Sequence, residues 1–266
     1  MTFPARELEA ARETALEAAR AAGELLLASF GNLDPARIGR KSAARDLVTE
    51  ADLASERCLV ERLRARFPAH AIEAEEEVRD AASNAPRWFL DPLDGTVNFV
   101  HGLPAFAVSL GLWVDGQPAV AVVHAPRLGE TFHAVRGGGA FLGSERLAVS
   151  DCTRLADAIL ATGFPYRRNE LAPNNLENFA GLFLDVRDLR RVGSAALDLA
   201  YTAAGRYDGF WELYLSPHDV AAGALLVREA GGRVADVDGG EDWLRGGHIV
   251  AAGPALFETL RARLVH

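Results

Sequence analysis

The sequence predicts a mixed α and β fold with a break near residue 150. Three observations predict it. Apolar residues recur at helical spacing over residues 4–30 and 49–67. Between residues 105 and 149 the pattern changes to short apolar or alternating runs split by DGQ and RLGE, as in antiparallel hairpins. From residue 151 onward, helical and strand patterns mix.

In the first helix Leu8, Ala11, Ala15, Ala18, Ala22, Leu25 and Leu26 share one face, and GNLDP ends it. TEADLASERCLVERLRARF is the second, with Thr49 as N-cap and Asp52 three residues on, a capping box. AIEAEEEV reads as a short strand running into an acidic turn, and RWFL as a buried strand. FAVSLGLWV, PAVAVVHAP, TFHAVRGGGAFLG and RLAVS make the meander. AILATGF is a strand, PYRRNELAPNN a loop and 175–185 a helix. DLRRVGSAALDLAYTAAG enters a helix through Gly-Ser. SPHDVAAGALLVREAGG starts one with Ser216 as N-cap and Pro217 at N1, and stops it at Gly231. A strand and a closing helix occupy HIVAAGPALFETLRARL.

The 266 residues are 49% apolar and 24% charged, the balance of an ordinary globule. A net charge of −9 argues against direct nucleic-acid binding and against an anionic membrane surface. Cys58 and Cys152 have no metal-binding spacing and read as free thiols. The charged start without an apolar leader and the lack of a run of transmembrane length lead us to expect a cytoplasmic protein. Lys41 is the single lysine beside 27 arginines, which suggests a place where a guanidinium cannot substitute.

Carboxylates gather where strands end or helices begin: Asp46 and Asp52, Glu73 to Glu77, Asp91 and Asp94, and Asp219. Asp52 and Asp219 each read as the N3 acid of a capping box. The run EAEEE alone reads as a solvated turn. Asp91 and Asp94 stand out. RWFL is expected to be buried, to end at Asp91, and to turn through Asp94-Gly95. Two acids held so close raise each other's pKa unless a cation lies between them. Hard oxygen donors without clustered histidines or paired thiolates point to Mg²⁺, which also takes phosphate oxygens. Gly95-Thr96 then offers backbone N–H groups to the anion.

DPLDGTVNFVHGLP resembles the signature of the inositol monophosphatase family of Mg²⁺-dependent, lithium-sensitive phosphatases. KSAARDLVTEAD (41–52), EEEV (75–78), RRVGSAALDLAYTAAGRYDGFWE (190–212) and HDVAAGALLVREAGG (218–232) resemble its other blocks, in order, so that the resemblance covers almost the whole chain. It implies an α+β fold, a layered α/β/α/β/α sandwich of the inositol monophosphatase and fructose-1,6-bisphosphatase type. The lobes would be residues 1–150, carrying most metal ligands and the meander, and 151–266, carrying Asp219 and the substrate-ring contacts. Glu75, Asp91, the Leu93 carbonyl, Asp94 and Asp219 resemble the ligands of two or three Mg²⁺, with Glu75 shared between two ions. Thr96 and Asp52 resemble the pair that orients and deprotonates the attacking water. Gly95 and Thr96 N–H groups would hold phosphate, with Asp94 and Asp219 beside the substrate. Gly193, Ser194, Ala195 and Glu212 resemble positions around its sugar or cyclitol ring. Lys41 resembles a lysine outside the metal shell. In the EAEEE run, Glu75 is the expected ligand and Glu76 a helper; Glu73 and Glu77 are expected to be solvated. His218 departs from the family pattern, which usually has tryptophan there.

The implied reaction is hydrolysis of a phosphomonoester, myo-inositol 1-phosphate first, by a homodimer. Fructose 1,6-bisphosphate, histidinol phosphate and 3′-phosphoadenosine 5′-phosphate are alternatives, with the choice lying in GFPYRRNELAPNN (163–175), where Arg167 and Arg168 either meet a second phosphate or stay solvated. A different class of role is a protein-binding partner of a transcription complex.

Overall fold

A computed structural model describes residues 4–34, 38–41 and 46–265. Pro35 of the first helix's stop signal, Ser42–Arg45 of the 41–52 block and His266 lie outside the described residues. Helix α1 (Ala5–Ser29) forms on the expected stripe, with Leu8, Ala11, Ala15, Ala18, Ala22 and Leu26 buried. Leu25 is instead 42% exposed, because it lies at the edge of that arc near the helix end. A small hairpin follows, β1 (Gly39–Arg40) with β2 (Leu47–Val48). Helix α2 (Glu50–Arg66) starts on the Thr49 capping box. Its buried stripe is polar at the N-terminal end, where Asp52, Ser55 and Glu56 precede Leu59 and Leu63.

The next strands are β3 (Ala71–Ala74), β4 (Arg87–Asp94), β5 (Ala107–Val114), β6 (Gln117–Ala125), β7 (Glu130–Val135), β8 (Gly139–Leu142) and β9 (Glu145–Arg146). They make one seven-stranded sheet in chain order, antiparallel except for β3 beside β4. Strand β4 does not end at Asp91, as the sequence suggested, but runs through Asp94. Asp91 pairs with Ser109 and Asp94 with Ala107, so the register slips by one residue at Pro92-Leu93. Pro92 has no N–H for the ladder, and a bulge is where a sheet tolerates it. In a regular strand, residues three apart face opposite sides. The bulge removes that alternation and lets both acids serve one place. The short helix α3 (Thr96–Val100) follows at once.

The second sheet is mixed. It holds β10 (Ile159–Thr162), β11 (Asp188–Arg190), β12 (Gly209–Leu213), β13 (Arg233–Ala235) and β14 (His248–Ala252), in the order β11-β10-β12-β14-β13. The remaining helices are α4 (Leu176–Phe183), α5 (Ala195–Ala203), α6 (Pro217–Glu229) and α7 (Pro254–Arg261). Helices α1 and α2 cover one face of the large sheet, through Leu26, Leu59 and Leu63 against Trp88, Leu110 and Val122. Helices α5 and α6 fill the space between the two sheets, where Leu199, Leu225 and Leu226 meet Val123, Phe210 and Ile249. Helix α7, with Leu182 of α4, closes the far face over Leu160 and Val250. The result is the five-layer α/β/α/β/α sandwich.

Candidate active site

Asp91 and Asp94 reach the site from the β4 bulge, and Asp219 from the first turn of α6. Oxygens of the three carboxylates lie within 4.8 Å of one another. Asp91 and Asp94 are buried, at 2% and 8% exposure. Burial and the charges of Glu75, Asp94 and Asp219 push the Asp91 carboxyl well above its usual range. Burial and Asp219 raise Asp94 to about 7, although Ser194 and Ala196 pull the other way. Burial likewise raises Asp219. Asp219 divides its work: Oδ2 accepts the Ser216 N–H at 2.6 Å, completing the capping box, and the carboxylate still belongs to the cluster.

Asp52 is split in the same way. Oδ2 accepts from the Thr49 N–H at 2.8 Å and the Thr49 hydroxyl at 2.6 Å, while Oδ1 faces the Thr96 hydroxyl at 3.1 Å. The Thr96 hydroxyl also lies 3.1 Å from the Leu93 carbonyl. Burial lifts Asp52 to about 6 against the two Thr49 bonds. Gly95 caps α3 at φ 93°, and a Cβ there would sit 2.9 Å from the Ala105 carbonyl, so the turn admits no side chain.

Glu75 follows β3, and its Oε1 accepts from Lys41 at 2.7 Å. Lys41 also contacts Glu76. Burial opposes the charge on Lys41, but the two glutamates outweigh it and hold the ammonium above its usual range. Burial also opposes charge on Glu75, yet His218 and Lys41 hold that carboxyl below the ordinary range. Glu76, buried beside Glu75, rises to about 7. Glu77 is exposed, as the sequence suggested. Glu73 is not solvated: the Arg245 guanidinium donates to it at 3.2 and 2.8 Å, with Arg87 3.6 Å away.

Sequence reasoning missed Glu56. Its carboxylate accepts the backbone N–H groups of Glu76, Glu77 and Val78 at 2.8–2.9 Å, and so fixes the turn that carries Glu75. The signal was present, because Glu56 falls in phase with the buried stripe of α2. Glu56→Ala leaves three N–H groups without their acceptor, at about 1–3 kcal/mol each when buried. Because the turn is part-buried, thermal or urea unfolding should show a loss of about 3 kcal/mol; a loss below about 1 kcal/mol contradicts this role.

From the second half of the chain, the start of α5 meets Asp94. The Ser194 hydroxyl donates to Asp94 Oδ2 at 2.5 Å and the Ala196 N–H at 2.7 Å. The Asn98 amide binds the Val192 carbonyl at 2.9 Å, holding α3 against Gly193. Ala195 and Gly193 line a cleft of about 550 Å³ with Glu75, Asp94, Glu212 and Asp219. Glu212 rises to about 8 because of burial, with Arg191 opposing. Gly163 was also missed. A Cβ there would stand 2.1 Å from both Glu212 carboxylate oxygens, so only glycine leaves room for that acid. Arg167 reaches the cleft but bonds to Glu170 at 2.9 Å.

Asp52, Asp94 and Glu212 keep protons in the folded state that the unfolded chain releases at lower pH. The native state then binds more protons than the unfolded state, and stability falls as pH rises through their folded values. Metal-free protein should therefore melt at a lower temperature at about pH 8 than at about pH 5, and Mg²⁺ should shrink the difference. A melting temperature that is flat or rises over this window would contradict the electrostatics.

The chain is similar to known proteins over nearly its full length. A family model described as the inositol monophosphatase family matches residues 7–266. A Pseudomonas aeruginosa protein named Nus factor SuhB is 47% identical over 253 residues, covering 92% of each chain. A Mesorhizobium japonicum protein named inositol-1-monophosphatase is 41% identical over 246 residues, again covering 92% of each. The structure of inositol monophosphatase from Anabaena superposes with a TM-score of 0.87 at 39% identity, covering 97% of this chain and 96% of that one. With sequence blocks, layered fold and similarity coinciding over nearly its full length, the chain belongs to the inositol monophosphatase family.

Proposed function

We propose that this protein is a Mg²⁺-dependent phosphomonoester hydrolase acting on a polyol phosphate, myo-inositol 1-phosphate before others. The observation that carries the reading is the convergence of Asp91, Asp94 and Asp219 beside the buried Thr96–Asp52 pair. The residues fit the ion. Three acids, two buried and one half-buried, that push one another's carboxyls above the usual range are stabilised together by a hard divalent cation, and an all-oxygen donor set suits Mg²⁺. Glu75, Asp91, the Leu93 carbonyl, Asp94 and Asp219 would hold two or three ions. When bound, Mg²⁺ supplies charge stabilisation to the phosphoryl group and the leaving oxygen.

The chain's own residues do the rest. Thr96 Oγ1 orients the attacking water and takes its proton as it releases its own to Asp52 Oδ1. A carboxyl poised at about 6 suits a base working near neutrality. Gly95 and Thr96 N–H groups hold a phosphate oxygen. Gly193, Ser194 and Ala195 border the ring, and Glu212 takes one of its hydroxyls. Lys41, which also lines the cleft, balances the charge of Glu75. The reading is tested by kcat/KM on myo-inositol 1-phosphate, fructose 1,6-bisphosphate, histidinol phosphate and 3′-phosphoadenosine 5′-phosphate. The inositol ester should lead. Preference for another ester moves the specificity to residues 163–175, and hydrolysis of none overturns the reading.

The proposed setting is cytoplasmic, with lobes of 1–150 and 151–266 meeting at the cleft, and the active form a homodimer. Leu176, Phe183 and Leu184 of α4 and its end are 59%, 58% and 86% exposed, an apolar face suited to a second copy. Sedimentation at micromolar concentration should give a dimer, and Phe183→Glu with Leu184→Glu a monomer. A monomeric wild type contradicts the assignment. The name of the Pseudomonas relative favours a second reading, a partner of a transcription complex. The acidic balance points to protein rather than RNA as what is bound. Enrichment of RNA polymerase on the immobilised protein, undiminished in Asp94→Asn, would support that role.

A further inference from the structure

We propose that Tyr214 is a specificity-determining residue whose ring packs on the C–H face of a cyclitol or sugar ring in the leaving group, so that the site favours ring-bearing phosphate esters over acyclic ones. This rests on the phosphatase reading above. The backbone of Tyr214 has φ 64°, in the left-handed region that an aromatic residue rarely adopts. Among the described residues two other non-glycine residues share that sign of φ, and each has a local reason. Asp115 opens the Asp-Gly turn between β5 and β6. Asn175 is fully buried; its side-chain amide donates to the Gly163 carbonyl at 2.6 Å and accepts from the Trp211 indole at 2.8 Å. Tyr214 has neither reason. It is 37% exposed, and its hydroxyl makes no hydrogen bond among the described residues.

The surroundings hold that conformation in place. The Leu215 N–H donates to the Gly247 carbonyl at 2.8 Å. The Tyr214 ring stands at 84° to the His248 imidazole, with centroids 5.0 Å apart. A strained residue fixed by its neighbours at the edge of a cleft points to function. Tyr214 lies two residues beyond Glu212, the acid proposed for a ring hydroxyl, and both line the cleft. Phe164, Tyr166 and Leu171 line it too, from the loop after β10, the parallel neighbour of β12. The C-terminal ends of two adjacent strands thus bring aromatic and apolar side chains to the same cleft as the carboxylates. A cyclitol or sugar ring has hydroxyls for Glu212 and weakly positive C–H groups for the negative face of an aromatic ring. An acyclic polyol offers no such face.

The test compares kcat/KM of the full-length protein with Mg²⁺ on myo-inositol 1-phosphate and on glycerol 2-phosphate. The ratio of the two should fall about 10-fold in Tyr214→Gly, chiefly through KM of the ring ester. Tyr214→Phe, which keeps the ring and removes the hydroxyl, should restore the ratio to within about 3-fold of the wild type. Glycine relieves the backbone, so Tyr214→Gly should melt within about 2 °C of the wild type or above it. A ratio unmoved in Tyr214→Gly, or not restored by Tyr214→Phe, overturns the assignment and leaves the phosphatase reading standing. So does a wild type with no preference for the ring ester. A melting temperature of Tyr214→Gly lower by more than about 4 °C makes the ring a packing element and also overturns it. Failure of the wild type to hydrolyse either ester overturns both readings.

Discussion

Asp94→Asn should lower Mg²⁺-dependent turnover by about 10³-fold or more while leaving the metal-free protein at least as stable as the wild type. The two effects have one cause. Asn matches Asp in volume, and its carbonyl can still accept from the Ser194 hydroxyl and the Ala196 N–H. It removes the charge that Asp94 sets against Asp91 and Asp219 in a largely buried cluster. Without an ion that charge opposes folding; with an ion it is what binds. Mg²⁺ should consequently raise the melting temperature of the wild type and do so far less in the variant. A residue of purely structural importance would lose activity and stability together, so a destabilised metal-free variant contradicts the role.

The second large effect lies on the other side of the site. Thr96→Val should reduce kcat by about 10²-fold or more, with Mg²⁺ affinity changing little. Valine keeps the shape and removes the hydroxyl that bridges Asp52 and the Leu93 carbonyl. Asp52→Asn should match this loss and also change the pH profile. In the wild type, kcat should fall as pH drops below about 6, because the buried Asp52 becomes protonated there and can no longer accept a proton. The acid limb should be missing from the residual activity of Asp52→Asn. An unchanged limb would place the titrating base elsewhere.

The order of the elements and the list of acids were legible because both rest on local pattern, whereas the layered sandwich followed from the family resemblance. Apolar periodicity located α1 and α2, turn residues spaced β5 to β9, and the capping boxes placed Asp52 and Asp219 at helix starts. Pattern could not show that strand β4 continues past Asp91 through a bulge, since register is a property of two strands together. It could not show what Glu56 or Glu73 bind, because their partners lie 20 and 172 residues away. Glu73 looked solvated in an acidic run and is instead paired with Arg245. Nor could pattern show that Gly163 leaves room for the Glu212 carboxylate, which comes from a different strand.

The most direct test is inorganic phosphate released from myo-inositol 1-phosphate by the full chain, with Mg²⁺ and with chelator, beside Asp94→Asn. Release that needs Mg²⁺ and is lost in the variant is the expected result. Folded, Mg²⁺-loaded protein that releases no phosphate, or releases it equally with chelator present, would contradict a metal-dependent phosphatase built on Asp91, Asp94 and Asp219.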